Sequence, residues 1–331
     1  MTSADLPEIL TAALRAGASD VHIDPQPGGA RIRFRVDGIL RPAMEIGMME
    51  TRHLIRRIKL FGGMDQNAVE RPQDGAGRFH FGGFEYDIRC AVTVARDYRE
   101  AAVLRIFDPQ IASLEALGFD LCERGFFSDW EKAGSGMLVV SGATGSGKTS
   151  TLYAVAAGLA TPDRAVVTIE DPVERRLPGA RQIDVGGMDG ATFARAFRSV
   201  LRQDPDIILL GEIRDAESAR AAVDAALSGH PVLTTLHAAG AEGILRRLQF
   251  SFGIDASSIA HTVRLCVAQR LVGRPCASCR GVAGPECEAC GGTGIRGRTV
   301  VAEMMECSLR DGELRRDRSR SFEDSLAAKF R

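Results

Sequence analysis

Hydrophobic and polar positions follow two different patterns along the chain. Up to about residue 108, one amphipathic segment at 6–16 precedes short runs in which apolar and polar residues alternate. In 31–36 the apolar residues hold the even positions and arginines the odd ones, which is typical of a strand with one solvated face. The Asp37–Gly38 turn that follows indicates a hairpin. We therefore predict that residues 1–108 form a small mixed α/β domain.

Between residues 137 and 236, apolar runs of strand length alternate with segments of helical periodicity. This alternation is typical of βαβ units that build a parallel sheet with both faces covered. From 241 onward the pattern is interpreted as helical, apart from a glycine- and cysteine-rich stretch at about 273–298. The predicted strands lie at 137–141, 165–170, 207–211 and 232–236, and the predicted helices near 148–160, 191–203 and 215–228.

The boundary between the two patterns falls at Asp108–Pro109. A chain of 331 residues is too long for one ordinary domain and suits two. We predict a linker at 109–118 and a second domain over 119–331, which includes the cysteine-rich stretch and a helical C-terminus.

Composition and charge narrow the function classes. Hydrophobic residues make up 45% and charged residues 26% of the chain, as in globular proteins with a buried core. Forty-two basic against forty-three acidic residues give a formal net charge of −1, so no overall attraction to nucleic acid is expected. No apolar run reaches the length of a membrane span, and Asp5 and Glu8 precede the first basic residue, Arg15, unlike in a secretory signal. A cytoplasmic protein is predicted.

The eight cysteines need a role other than disulfides, which are rare in the cytoplasm. Cys276, Cys279, Cys287 and Cys290 have the spacing C-x-x-C-x7-C-x-x-C, which indicates a structural Zn²⁺ with four thiolate ligands and no open position for water. Buried, reduced cysteines are the alternative. A nucleic-acid-binding zinc ribbon is a further one, but the arginines of this stretch have no aromatic residues between them for base stacking.

Residues 142–149 read G-A-T-G-S-G-K-T and match the pattern G-x-x-x-x-G-K-[ST]. The match follows a predicted strand and opens a predicted helix, where glycines allow backbone N–H groups to surround phosphate oxygens. Lys148 is expected to reach the β- and γ-phosphates, and Thr149 to bind Mg²⁺. A glycine-rich turn with an incidental lysine is the alternative. The predicted nucleoside triphosphate site comprises Gly142, Thr144, Gly145, Ser146, Gly147, Lys148, Thr149 and Ser150.

Polar residues stand at the ends of the later predicted strands, where ligands of open α/β sheets bind. Glu170 and Glu174 follow one strand, Glu212 the next, and His237 the last. Carboxylates there suit Mg²⁺ coordination and the positioning or deprotonation of an attacking water. For any one of these acids alone, a helix cap or a surface carboxylate is the alternative, and His237 alone is equally typical of a core histidine.

Several strings, taken together, resemble the ATPases of type II secretion and type IV pilus machines. T-I-E-D-P-V-E is similar to the Asp box of that family, L-R-Q-D-P-D-I-I-L-L-G-E-I-R-D to its Walker B region and T-L-H to its His box. A-S-D-V-H-I, R-F-R-V-D-G and P-Q-D-G also fit, so the resemblance runs from about residue 15 to 306. The six strings lie at 168–174, 201–215, 235–237, 18–23, 33–38 and 72–75.

The resemblance implies an α/β fold with a RecA-like P-loop domain, preceded by a small PAS-like α/β domain and carrying a zinc-knuckle insert. It implies ATP as the nucleotide, Glu174 as the general base or water-positioning group, and Glu212 as the Walker B acid acting on Mg²⁺ through water. It also implies that His237 contacts the γ-phosphate region. Arg89 and Arg105 match arginines that relatives extend over the nucleotide; solvated arginines on sheet edges are the alternative.

The sequence departs from the family pattern near these arginines. The usual P-T-x-x-G-E is replaced by V-A-R-D-Y-R-E at 94–100, so Arg99 or Arg96 could take the place of Arg105. Ala-Ala-Gly follows His237 instead of Thr-Asn-Asp. No segment corresponds to the extra N-terminal domain by which many relatives dock on their membrane platform.

The function implied by the resemblance is a cytoplasmic, homo-hexameric ATPase that powers pilin or pseudopilin assembly, or type II protein secretion, by ATP-driven interdomain motion. Its partners would be an inner-membrane platform protein and a cytoplasmic docking protein, with peripheral membrane association through them and no direct nucleic-acid contact. The tetracysteine motif disfavours a pilus-retraction motor, which generally lacks it. A nucleic-acid transfer or competence motor and a catalytically inactive nucleotide-binding scaffold are two rival functions.

Overall fold

The computed structural model describes residues 5–69, 71–95, 99–186, 193–284, 287–310 and 313–330. The chain divides into two compact units, and neither is a single continuous stretch of sequence. The first unit consists of residues 1–110 with 275–297, and the second of 111–274 with 298–331. The cysteine-rich stretch therefore lies in the first unit, whereas the predicted boundaries include it in the second domain.

The N-terminal part of the first unit contains a six-stranded sheet and two helices. Neighbouring strands pair in antiparallel fashion, and their order across the sheet is β3-β2-β1-β6-β5-β4. The elements are α1 (Leu6–Arg15), β1 (Ala18–Gln26), β2 (Gly29–Val36), β3 (Ile39–Gly47), α2 (Met48–Phe61), β4 (Gln73–Phe81), β5 (Phe84–Val94) and β6 (Glu100–Phe107).

Alternation in these strands places one sheet face against the helices. Ile32 and Phe34 of β2 are buried in one hydrophobic core with residues of α1 and α2, and Arg33 between them lies on the opposite face. The predicted half-solvated strand at 31–36 and its hairpin are therefore confirmed. Helix α1 ends before Gly17, whose φ of +67° favours glycine and stops the helix.

The second unit is built on an eight-stranded sheet with the order β14-β13-β12-β7-β11-β10-β8-β9. Its strands are β7 (Gly136–Ser141), β8 (Val166–Glu170), β9 (Ala180–Asp184), β10 (Ile207–Leu210), β11 (Pro231–Leu236), β12 (Val263–Pro275), β13 (Ile295–Arg310) and β14 (Glu313–Arg320). Its helices are α3 (Leu114–Leu117), α4 (Leu121–Ala133), α5 (Lys148–Leu159), α6 (Phe193–Val200), α7 (Ala216–Leu227), α8 (Ala241–Arg246), α9 (Ala256–Thr262) and α10 (Phe322–Phe330).

The strands from β12 through β7, β11, β10 and β8 to β9 pair in parallel, as the βαβ pattern predicts. Every residue of β7 is buried, and successive residues face two separate cores: Val139 lies in one and Val140 in the other. Both faces of this part of the sheet are therefore covered, and its parallel strands all end at one edge.

The prediction of a helical C-terminal region is wrong for most of that region. Residues 263–275, 295–310 and 313–320 form β12, β13 and β14, although α8, α9 and α10 are helical. The apolar run at the start of β12 is buried on both sides, so it has no period of two that would separate it from a buried helix. The predicted helix at 191–203 is observed as α6 followed by a 3₁₀ turn at Leu201–Gln203, and 191–192 lie outside the described residues.

No helix in the described part of the chain combines the length and apolar character that crossing a bilayer requires.

Candidate nucleotide-binding and catalytic site

The loop from 142 to 147 joins β7 to α5 at the carboxyl edge of the parallel strands. Gly142 has a φ of 149°, and Gly147, at the N-terminus of α5, a φ of 86°. A Cβ at Gly142 would lie 2.4 Å from the backbone oxygen of Gln269, so this position accepts only glycine. The loop therefore lies tightly against β12.

Gln269 of β12 holds this loop in place through hydrogen bonds. The sequence did not predict this role. Its buried amide donates from Nε2 to the carbonyl of Ser146 at 2.8 Å and accepts from the Thr151 hydroxyl at 2.8 Å. One side chain thus holds both the loop and the first turn of α5. An isolated glutamine in the apolar run of β12 is the sequence signal, because a buried amide needs partners.

Lys148 lies on the loop, with its Nζ donating to the carbonyls of Gly142 at 3.0 Å and Ala143 at 3.2 Å. Partial burial lowers the pKa of Lys148, while the nearby carboxylates of Glu212 and Glu174 act to raise it. The structure therefore brings together the lysine and the two acids that the sequence singled out.

The remaining predicted phosphate-site residues surround the N-terminus of α5. Thr144 and Gly145 are exposed, whereas the hydroxyl of Ser146 is buried and has no hydrogen-bond partner within the described residues. Thr149 and Ser150 are half-buried in the first helical turn. Backbone N–H groups at a helix start, with the positive end of the helix dipole, suit phosphate oxygens.

Glu212 follows β10, and its carboxylate contacts the side chains of Arg214 and His237. Its Oε2 accepts from Nε of Arg214 at 3.1 Å, and its Oε1 lies 3.2 Å from Nε2 of His237. The other ring nitrogen of His237, Nδ1, lies 3.2 Å from the carbonyl oxygen of Gly142. Both nitrogens thus face oxygen acceptors, and the ring donates to both only when it carries two protons.

Arg214 joins two acidic segments at this edge and was missed in the sequence reasoning. Its Nη1 donates to Asp171 at 2.8 Å while Nε donates to Glu212, and its guanidinium lies 5.8 Å from the ring centre of Phe193. The arginine therefore restricts the rotamer of Glu212. Its position two residues after Glu212 is the signal the sequence offers.

The acids Glu170 and Glu174 have different surroundings. Glu170 is 4% exposed and accepts hydrogen bonds from the hydroxyl of Tyr153 at 2.5 Å, the hydroxyl of Thr168 at 2.6 Å and the amide of Gln182 at 3.2 Å. Burial raises the pKa of Glu170 in spite of these donors. Glu174 is half-buried and acts electrostatically on Lys148, so it is the acid of this pair that remains available beside the loop.

Arg89 and Arg105 lie in the first unit, directly opposite each other on β5 and β6. Arg105 donates to Asp20 at 3.0 Å, and the guanidinium of Arg89 lies 5.0 Å from the ring centre of Phe107. Arg99, which could replace Arg105, donates to the carbonyl of Gln26 at 2.6 Å, and Arg96 lies outside the described residues. The approach of these arginines to a nucleotide stays a prediction.

The four cysteines of the tetracysteine motif form a cluster in which all sulfurs lie within 4.8 Å of one another. Sγ of Cys276 is 3.9 Å from that of Cys287, and Sγ of Cys279 is 3.8 Å from that of Cys290. Sulfurs about 2.3 Å from one tetrahedral ion lie roughly 3.8 Å apart, so the donor set fits Zn²⁺.

The backbone around Cys290 favours its thiolate form. The N–H of Gly294 donates to its Sγ at 3.2 Å. Burial acts to raise the pKa of Cys290, but contacts with Cys287 and with backbone N–H groups lower it to about 6. A thiolate is the form that binds a metal ion.

Hydrogen bonds tie the cysteine segment to the hairpin of β2 and β3, within the first unit. Nη1 of Arg41 donates to the carbonyl of Cys290 at 3.1 Å, and the N–H of Gly297 donates to the Asp37 carboxylate at 2.9 Å. Arg41 thus places a cation beside a cluster that is dianionic when four thiolates bind Zn²⁺. These partners are about 250 residues apart in sequence, so no local pattern reveals them.

Comparison with known proteins agrees with this arrangement. The family described as "Type II/IV secretion system protein" matches residues 2–328. The chain is 36% identical to the type IV pilus assembly ATPase PilB of Thermus thermophilus, over 90% of this chain and 36% of that protein. It is 40% identical to the type II secretion system protein HxcR of Pseudomonas aeruginosa, over 93% of this chain and 66% of that protein.

Among solved structures, the ATPase DotB of Legionella pneumophila superposes with a TM-score of 0.73 at 27% identity, covering 92% of this chain and 81% of that one. The chain spans between about one third and two thirds of the length of PilB and HxcR. The family match nevertheless extends over nearly all of the chain. The chain therefore belongs to the type II/IV secretion system protein family.

Proposed function

We propose that this chain is the ATPase of a machine that assembles pilins or pseudopilins or secretes proteins by the type II route. The observation that carries the proposal is the grouping of Lys148, Glu174 and Glu212 at the carboxyl edge of the parallel sheet. A phosphate-binding loop beside two carboxylates is the arrangement that phosphoryl transfer to water requires. The family membership supports the same activity.

Different groups at the loop would bind different parts of ATP and its Mg²⁺. Backbone N–H groups from Gly142 to Ser150 receive the phosphate oxygens of ATP, and Lys148 reaches the β- and γ-phosphates. Thr149 would bind Mg²⁺ and Glu212 would act on it through water, and the bound ion would neutralise charge on these oxygens. Arg214 keeps Glu212 in one orientation through its hydrogen bond to Oε2.

Hydrolysis requires a group that orients and deprotonates water. Glu174 takes this role because it is half-exposed near Lys148, whereas Glu170 already accepts several hydrogen bonds in the interior. His237 lies between Glu212 and the loop. This position supports the proposal that it contacts the γ-phosphate region. Arg89 and Arg105 would neutralise charge on the transferred group once the N-terminal domain closes over the nucleotide.

A PAS-like N-terminal domain, a RecA-like domain and a zinc knuckle complete the proposed architecture. The sulfur distances support Zn²⁺ as a structural ion that holds the segment of Cys276 to Cys290 in one shape. The cleft between the two domains would close and reopen with each ATP that is hydrolysed. In a homo-hexamer of this chain, this interdomain motion would drive the machine.

The proposed location is the cytoplasmic face of the inner membrane, with attachment through a platform protein and a cytoplasmic docking protein. The named relatives belong to pilus-assembly and type II secretion systems, which supports such partners. The tetracysteine cluster favours assembly or secretion over pilus retraction. The arginines of the cysteine-rich stretch have no aromatic residues between them on which bases could stack, which argues against a nucleic-acid motor.

The test is ATP hydrolysis by the purified full chain, measured as released phosphate. Lys148→Ala removes the charge that contacts the β- and γ-phosphates and should abolish turnover. Lys132→Ala is the matched control, because this exposed lysine of α4 pairs only with Asp129 in the described part of the chain. Near-normal turnover in the Lys148 variant would show that the active site lies elsewhere.

A further inference from the structure

A cavity of about 560 Å³ lies wholly in the N-terminal part of the first unit. It is lined by α2, the end of β1, the start of β2, the start of β6 with Arg99 before it, and the segment after α2. This volume falls within the range of roughly 300–1,000 Å³ that is typical of sites for small molecules. The loop at 142–147, Glu174, Glu212 and His237 do not line it, whereas Arg99, the alternative to Arg105, does.

One face of α2 supplies the largest part of the wall. Met48, Thr51, Arg52, Ile55 and Arg56 are spaced by three and four residues and all line the cavity. Arg52 and Arg56 stand four residues apart, so their like charges repel along the helix. Without a bound ligand, this repulsion destabilises the helix. An anion between the two guanidinium groups would attract both of them and offset the repulsion.

The arginines of the wall form no ion pair with an acidic residue in the part of the chain that the structure describes. Within the described residues, Arg52 and Arg56 make no ion pair, and Arg99 donates to the carbonyl of Gln26 at 2.6 Å. The acid of the lining, Glu100, is paired at 2.5 Å with Lys59, whose side chain is fully buried. The described residues of the lining therefore carry a net positive charge.

The position of α2 adds to this potential. Met48, the first residue of the helix, lines the cavity, so the positive end of the helix dipole lies at its wall. Neutral polar groups of Thr51, Gln66 and Asn67 line the same space, so hydrogen-bonding groups lie beside the cations. Met48, Ile55 and Val69 provide an apolar part of the wall.

We propose that this cavity binds a small organic phosphate with an apolar or aromatic body. The guanidinium groups of Arg52, Arg56 and Arg99 match phosphate oxygens with charge-assisted hydrogen bonds. The apolar wall accommodates the body of the ligand, and the amides orient it. This binding function is separate from the nucleotide site of the second unit and does not depend on hydrolysis there.

The experiment uses 8-anilinonaphthalene-1-sulfonate, an aromatic anion, as a fluorescent probe on the full chain. ADP and Mg²⁺ are present at saturation so that the loop at 142–147 is occupied. The wild type should bind the probe, and Arg52→Ala/Arg56→Ala should weaken binding by about tenfold for each charge-assisted contact removed. Equal affinity in the wild type and the double variant would overturn the proposal.

Two further variants separate a specific site from general electrostatics. Arg57→Ala removes the same charge from the same helix, but Arg57 pairs with Asp5 and does not line the cavity, so binding should be unchanged. Met48→Glu adds a negative charge to the wall at the start of α2, where acids are compatible with the helix, and it should weaken binding. A loss in Arg57→Ala as large as in the double variant would also overturn the proposal.

Competition identifies the class of ligand. Displacement of the probe by inorganic pyrophosphate, with displacement weakened in Arg52→Ala/Arg56→Ala, supports recognition of a phosphate. Displacement by a poly-glutamate peptide but not by pyrophosphate would assign the surface to an acidic protein partner and overturn the small-molecule proposal. Circular dichroism and thermal unfolding of each variant verify that the fold is retained.

Discussion

Arg89 of β5 and Arg105 of β6 occupy directly opposite positions on the sheet face turned away from the helices of the first unit. Like charges at such positions repel each other. The carboxylate of Asp20 on Arg105 and the ring of Phe107 beneath Arg89 reduce this repulsion. Two guanidinium groups held side by side form a cationic surface suited to phosphate.

Single substitution of either arginine should therefore slow hydrolysis more than binding. We expect Arg89→Ala and Arg105→Ala to retain ATP affinity while kcat falls by about 10³-fold, as for arginines that neutralise a transition state. Nucleotide binding by calorimetry and phosphate release measure the two effects separately. Arg31→Ala is the control, because Arg31 lies on the same face of the sheet and pairs with Glu45. A kcat within tenfold of wild type in both variants would contradict the cleft-closure mechanism.

The two acids after β8 should respond differently to removal of charge. Glu174→Gln should lower kcat by about 10²–10⁴-fold with unchanged stability, because a general base is lost. Glu170→Gln should lower the free energy of unfolding by about 1–3 kcal/mol. The NH₂ group of the introduced glutamine would face the hydroxyls of Tyr153 and Thr168, which donate to the carboxylate in the wild type. Turnover and urea unfolding of both variants distinguish the roles. The reverse outcome would make Glu170 the base.

Arg214 should act through the orientation of Glu212. Arg214→Ala frees that carboxylate, and the apparent affinity for Mg²⁺ in the hydrolysis assay should fall by about 10–100-fold, as for residues that orient metal ligands. Arg214→Lys should recover part of it. Arg220→Ala removes an exposed arginine of the following helix, α7, and should have no effect. An unchanged Mg²⁺ dependence in Arg214→Ala would leave the arginine with a structural role alone.

Metal analysis of the full chain should find about one zinc per chain, because four thiolates complete one tetrahedral site. Cys276→Ser and Cys290→Ser should lose the metal and lower stability. Arg41→Ala should retain zinc but release it to a chelator about 10–100-fold more readily, because the cation beside Cys290 is removed. Arg33→Ala, in a neighbouring strand and paired with Asp24, should release zinc as the wild type does. A fully folded and active wild type without metal would overturn the zinc assignment.

Local patterns in the sequence predicted the parts of the fold that depend on neighbours in the chain. The strand before Gly142, the helix that starts at Lys148 and the alternating strand at 31–36 all follow from short-range periodicity. The strand β12 and the middle of β13 were missed because a run buried on both faces has no distinctive period. The strand β14 was missed because its sequence is almost wholly polar and has no apolar alternation. Long-range partners were also missed, as with Gln269 under the loop and Arg41 beside Cys290, because a hydrogen bond across the fold leaves no spacing to detect.

The contacts of Lys148 determine how the loop receives its ligand. In this structure its ammonium group already bonds the carbonyls of Gly142 and Ala143. The phosphate oxygens of an incoming nucleotide must therefore replace these carbonyl oxygens as acceptors. The net free energy of the lysine–phosphate contact is smaller for that reason. In return, the two carbonyl oxygens occupy the lysine in place of phosphate and keep the loop preorganised, which reduces the entropy lost on binding.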